Sequence, residues 1–256
     1  MTRAAILAAL LAFYALCWIA APAGSLATLP GHASFLPPSA AHPLGTDDLG
    51  RDVLAALLQG GRTSLLAAGV ATVIALALGA AIGLLAATAG GIADDTLMRL
   101  ADLVAGLPVL LLAILAASLF GGSAMNLALL VGLTRWPVIA RLTRIEAHRL
   151  RAEPFCRAAV ALGGGPWHVA RRHILPGAIA PALSGAGVVF GGAVLTEAAL
   201  GFIGLGDPDA TSWGRLIAAG FAFAHSAPWA WAAPAAALVL VAAAVALLAD
   251  PLRAAR

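Results

Sequence analysis

Residues 146–176 read EAHRLRAEPFCRAAVALGGGPWHVARRHILP, a basic segment set between two runs apolar enough to cross a bilayer. Phe155, Ala159 and Leu162 recur at intervals of four and three, the spacing of one helix face, which predicts a helix over 153–162. Pro154 sits where a first helical turn tolerates proline. Gly163-Gly164-Gly165-Pro166 then ends that helix, because glycine suits a left-handed cap and proline cannot continue the turn. A second short helix is expected over 167–175, ending at Pro176-Gly177, where the chain turns back toward the membrane. Such a helix–turn–helix on a basic face either seats in a groove on another protein or lies on anionic headgroups. The residues alone leave both open.

Outside this segment the chain is apolar: 62% hydrophobic and 11% charged residues, with a mean hydropathy of +0.97. A soluble domain carries about 25% charged residues, so most of this chain must meet lipid. The runs do not alternate as barrel strands do. The class is an all-α polytopic membrane protein. Six apolar runs of helical length cover 4–21, 64–88, 97–120, 124–147, 179–203 and 229–249. Gly79-Ala80-Ala81-Ile82-Gly83 and Gly185-Ala186-Gly187 supply small residues that let helix backbones approach closely. The first run, with Arg3 before it and Ala21-Pro22-Ala23 after it, also resembles a cleavable signal peptide. Its length favours a retained span.

All 15 basic residues are arginine. The phosphate-binding loop G-x-x-x-x-G-K-[ST] needs a lysine, so no such ATP site exists here. The arginines set orientation. Arg141, Arg144, Arg149, Arg151, Arg157, Arg171 and Arg172 cluster in or beside the quoted loop, and Arg3, Arg99, Arg253 and Arg256 share its side if six spans alternate. Arg51, Arg62 and Arg215 lie opposite. The positive-inside rule then places the loop and both termini in the cytoplasm. No aromatic-interleaved basic patch marks nucleic-acid binding. Cys156 falls on the cytoplasmic side, Cys17 in a span, and no disulfide is expected. Residues 1–63 are expected to form the first span plus an outer segment, and 64–256 the main transmembrane domain carrying the loop at 148–177.

Three sequence blocks together resemble a known family. Arg157-Ala158-Ala159, then Gly163, then His173-Ile174-Leu175-Pro176 is similar to the EAA loop of ABC importer permeases. His42-Pro43-Leu44-Gly45-Thr46-Asp47 with Gly50-Arg51-Asp52, and Glu197-Ala198 with Gly201–Gly206 and Ser212-Trp213-Gly214, resemble the dipeptide, oligopeptide and nickel group, in its second-permease branch. Asp95, Met98-Arg99, Asp102 and Pro108 also fit. The resemblance implies a type I importer permease fold and half of a translocation pathway for short peptides or nickel in the bacterial inner membrane. It implies a second homologous permease, two cytoplasmic ATP-binding subunits and a periplasmic solute-binding protein as partners. ATP and Mg would reside on the ATP-binding subunits, with no cofactor and no catalysis in this chain. Arg157, Ala158, Ala159, Gly163, His173, Leu175 and Pro176 would form the coupling surface. Arg157 stands where the motif usually carries glutamate, which alters the docking electrostatics.

Other residues divide between path and scaffold. Glu197 and Arg135 are ionisable groups within spans, which face a cavity or a partner, and both are candidates for the translocation path. Asp102 is expected to pair with Arg99 or an arginine of the fourth span. Asp47, Arg51 and Asp52 are expected to brace the outer loop, and Trp213, Trp229 and Trp231 to anchor at the lipid boundary. The six histidines form no ligand cluster, so no metal site is assigned. An autonomous channel or secondary transporter is the competing class, which would need midplane ionisable groups or inverted repeats.

Overall fold

In lipid every backbone donor and acceptor must be satisfied within its own segment, so apolar runs become helices. A computed structural model of the chain describes residues 3–21 and 34–249, and among these there is no strand, only an isolated bridge from Thr46 to Asp52. The helices are α1 (Arg3–Ile19), α2 (Val53–Ala89), α3 (Gly91–Ala105), α4 (Val109–Phe120), α5 (Ala124–Arg151), α6 (Pro154–Ala161), α7 (Pro166–Val169), α8 (Leu175–Phe202), α9 (Trp213–Phe221) and α10 (Pro228–Ala249). A π-helical turn, Ala170–Ile174, joins α7 to α8. Pro22 and Ala23 of the cleavage-site reading, and the orienting Arg253 and Arg256, lie outside the described residues.

Each of the six expected runs is helical, but their form differs from expectation. Three helices are long and apolar enough to span unaided: Val53–Ala89, the run Pro166–Phe202, and Pro228–Ala249. The third run is not one helix. α3 and α4 meet at a 72° bend, because Pro108 lacks a backbone donor and disfavours helix at the residue before it. α1 has 17 residues, about 25 Å at 1.5 Å per residue, short of a 30 Å hydrocarbon core. α5 has 28 residues and holds Pro137 without breaking. α2 begins eleven residues before its expected start. Asp52 initiates its first turn, its Oδ1 accepting from Ala55 N at 2.9 Å.

The chain divides into two compact units, each drawn from several stretches. One comprises Met1–Gly69, Leu110–Ala128 and Gly191–Leu248. Its centre is Trp213, fully buried, with Nε1 donating to Leu57 O at 2.9 Å and its backbone N donating to Ser64 Oγ at 3.2 Å. A boundary anchor would keep one edge wet, so the expected interfacial role of Trp213 is corrected to a core role. Gly61 makes the space: a Cβ there would meet Trp213 Cζ2 at 3.0 Å and Cys17 Sγ at 2.8 Å.

The other unit comprises Val70–Val109, Leu129–Phe190 and Ala249–Arg256. Ala75, Ala101, Trp136, Ile139, Ala140, Ala182, Ala186 and Val189 form its core. A Cβ on Gly79 would lie 2.7 Å from Ile139 Cβ and from Trp136 O. The glycine-alanine run thus brings α2 against α5 at backbone distance, the packing small residues permit in lipid. A second cluster in this unit gathers Leu84, Ala87, Ala147, Leu150, Cys156, Val169, Ala170 and Ile174, and supports the quoted loop.

Candidate functional site

The loop folds as helix, turn and helix. Glu153 is the N-cap of α6 and Pro154 opens its first turn. Gly163 adopts φ +89°, the left-handed region that glycine enters without a Cβ penalty, and Gly164 N closes the cap on Ala159 O at 2.9 Å. The face that packs inward is Cys156 with Ala159, against Val169, Ala170 and Ile174. This corrects the expected Phe155–Ala159–Leu162 face. Phe155 is 47% exposed, Val160 58%, Leu162 89% and Trp167 59%. α6 is only eight residues long, so its small side chains face the base and its large ones remain outside. Large apolar side chains left exposed on so short an element mark an interaction surface.

The second loop helix also differs from expectation. It does not end at Pro176-Gly177; the chain runs helically from Pro166 to Phe202. Leu175 N bonds Ala170 O in an i→i+5 pattern. The widened turn accommodates Pro176, which has no donor to give. A Cβ on Gly177 would meet Leu150 Cδ1 at 2.7 Å, which keeps this junction close to α5. The segment after the glycine hinge is therefore one rod with the membrane helix that follows it.

Ion pairs fix the base of the loop. Arg144 grips the buried Asp94 with both arms, Nε to Oδ1 at 2.5 Å and Nη2 to Oδ2 at 2.7 Å, and His148 Nε2 lies 3.4 Å from Oδ2. Arg151 Nη1 donates to Ala87 O at 2.8 Å, capping the last turn of α2. Arg149 bonds Glu146 and reaches Glu153. Asp94 received no role from the sequence, and Arg144, Arg151 and Cys156 entered only through membrane orientation and redox compartment, not as the base of the loop. Arg144 and His148 are one helical turn apart, but Asp94 and Asp95 are indistinguishable as partners until the helix phase is known.

The electrostatics of the surface are basic. A cleft of about 410 Å³ is lined by Arg151, Arg157, Val160, Gly164, Pro166 and their neighbours. Burial, then the nearby Glu153 carboxylate, pushes the Cys156 thiol above its usual range. Ala158 and Pro176 are exposed, and His173 and Leu175 half-buried. The Phe155 and His173 rings lie 6.5 Å apart. The predicted loop residues are thus gathered on one element.

The remaining predicted residues lie apart from it. Asp102 pairs with Arg141 at 2.6 Å across an exposed gap. Asp47 accepts from the Leu49 and Arg51 amides and from Arg51 Nε at 2.6 Å; Asp52 holds His42 Nδ1 at 2.8 Å. These bonds fold the outer segment, and Trp229 Nε1 fastens it at Thr46 O. Glu197 is 5% exposed, with the Ser64 and Ser212 hydroxyls as its polar neighbours, and its Oε2 lacks a hydrogen-bond partner. Arg135 Nε is likewise enclosed and unpaired. Among the described residues no three His, Cys, Asp or Glu side chains come together as a metal cluster.

Residues 79–255 match a protein family described as binding-protein-dependent transport system inner membrane component. The chain is 38% identical over 189 residues to the probable D,D-dipeptide transport system permease protein DdpC of Escherichia coli, covering 73% of this chain and 63% of the relative. It is 37% identical over 193 residues to the dipeptide transport system permease protein DppC of Alkalihalophilus pseudofirmus, covering 75% and 64%. It is 34% identical over 224 residues to the di/tripeptide transport system permease protein DppC of Pseudomonas aeruginosa, covering 87% and 72%. The chain therefore spans slightly under two thirds of the length of the first two.

Proposed function

The chain belongs to the binding-protein-dependent transport system inner membrane component family, and from that premise we propose that it forms half of an ATP-driven import pathway for short peptides. One observation carries this reading: the large apolar side chains of α6 and α7 stand exposed on an element whose other face is locked to the ends of membrane helices. Such a surface is idle without a partner. Two ATP-binding subunits, holding ATP and Mg, would seat on this loop and on that of a second, homologous permease. A solute-binding protein would deliver the substrate on the opposite side, with the loop and both termini cytoplasmic. Peptides are favoured over nickel because the three relatives described above are named for D,D-dipeptides, dipeptides and di/tripeptides.

The mechanical step follows from continuity. A push on α6 is resisted at the Gly163 turn and passes through α7 and the π turn into α8, which is one rod. The Asp94–Arg144 grip passes it to α3 and α5. Arg157 in place of the usual motif glutamate alters or reverses the docking electrostatics, which a matched acidic group on the partner would complement. Arg135 is the candidate to meet substrate along the path, whereas the enclosed Glu197 fits a scaffold role. Co-expression with a second permease, two ATP-binding subunits and the binding protein tests the reading. Peptide-stimulated ATP hydrolysis by the assembled complex, and none by this chain alone, is the expected result; hydrolysis intrinsic to the chain would overturn it.

A further inference from the structure

The π turn builds a second feature, which shares Trp167 and Pro176 with the docking surface. Trp167, His168, Arg171, Arg172 and Pro176 line an open cleft of about 600 Å³ with no carboxylate in its wall. Val169, Ala170 and Ile174 are buried beneath it, so the backbone that carries the arginines is anchored. In an i→i+5 turn consecutive residues are separated by a smaller angle than in an α-helix, which lets neighbouring Arg171 and Arg172 line one cleft. Both side chains are exposed and neither has an acid partner among the described residues. Two adjacent guanidinium groups with an imidazole beside them suit a phosphate oxyanion, which arginine binds with a fork of donors.

The cleft continues into an exposed apolar stripe. Pro176, Ile179 and Leu183 follow Arg172 at intervals of four, three and four, and all are exposed. Trp167, half-exposed at the rim, is the residue type that sits at headgroup level. A basic cleft above an apolar stripe reads a headgroup and an acyl chain at once; a free phosphate would use only the upper part. We propose that this cleft binds an anionic glycerophospholipid, with its phosphate between Arg171 and Arg172 and one acyl chain along Pro176, Ile179 and Leu183. The site does not depend on the docking role of α6.

The test uses the full chain in neutral detergent, with lipid retention read by native mass spectrometry. Phosphatidylglycerol and phosphatidylcholine of matched acyl chains are offered at equal concentration, and glycerol 3-phosphate separately. The expected result is selective retention of phosphatidylglycerol, lowered at least about tenfold by the pair Arg171→Gln and Arg172→Gln, the factor that loss of one charge-assisted hydrogen bond supplies. Arg99→Gln, exposed elsewhere, leaves retention unchanged, and the pair Arg171→Lys and Arg172→Lys keeps the preference for phosphatidylglycerol. Equal retention of both lipids, or full retention by the glutamine pair, would overturn the site. Displacement of lipid by millimolar glycerol 3-phosphate would assign the cleft to a soluble phosphate instead. Loss of ATP-binding-subunit association with lipid retention intact would assign the arginines to that partner.

Discussion

Gly163 separates backbone cost from steric cost unusually well. Its φ of +89° is left-handed, and a Cβ added there meets nothing within 4 Å. Gly163→Ala therefore adds only left-handed strain, about 1–2 kcal/mol, a factor of roughly 5–30 in a local equilibrium. Gly163→Pro forces φ to about −65° and clashes with the preceding turn, a cost of about 3 kcal/mol or more where the native conformation is incompatible. It also removes the donation from Gly163 N to Val160 O at 2.9 Å. The assay is ATP hydrolysis by the assembled transporter with and without peptide-loaded binding protein, alongside membrane yield. The alanine variant should retain part of the stimulation. The proline variant should insert normally, because residue 163 lies in the loop, yet show no stimulation. Normal stimulation by the proline variant, or equal losses from both, would refute the hinge.

Two further outcomes follow from the base of the loop. Arg144→Gln leaves the buried Asp94 carboxylate with only His148 beside it; because Arg144 is itself about a third exposed, the loss is about 1.5–3 kcal/mol, that of a charge-assisted hydrogen bond, or roughly 3–12 °C in Tm. The double variant Asp94→Asn with Arg144→Gln should recover much of that, and strictly additive losses in the thermal shift would remove the clamp. Cys156 should react slowly with maleimides at pH 7, because burial and Glu153 raise its pKa and reduce the thiolate fraction; rapid labelling of the folded chain at neutral pH would contradict its placement.

Much of this architecture is legible in the sequence, for identifiable reasons. Long apolar runs have one solution in lipid, and Gly79, Gly83 and Gly185 announce close packing. The Gly163 turn is legible because proline and glycine punctuate locally. Phase is harder. α6 is too short for periodicity to choose between the face of Phe155 and Leu162 and that of Cys156 and Ala159; its base, assembled from residues 84–87 and 147–174, decides. Pro108 breaks a helix while Pro137, Pro181 and Pro234 sit inside helices, because neighbouring packing determines whether a missing donor is tolerated. Trp213 reads as a lipid anchor from its position near a span, but Leu57 O and Ser64 Oγ, about 150 residues earlier, claim it for the core.

The central claim is that the apolar face of α6 receives force from an ATP-binding partner. The most direct measurement is thiol crosslinking from a single cysteine, Leu162→Cys with Cys17 and Cys156 replaced by alanine, in the assembled transporter. Residue 162 is 89% exposed in the free chain. A crosslink to the ATP-binding subunit is expected, together with protection from impermeant reagents applied outside intact cells. Ready labelling from outside, with no crosslink formed, would contradict the account.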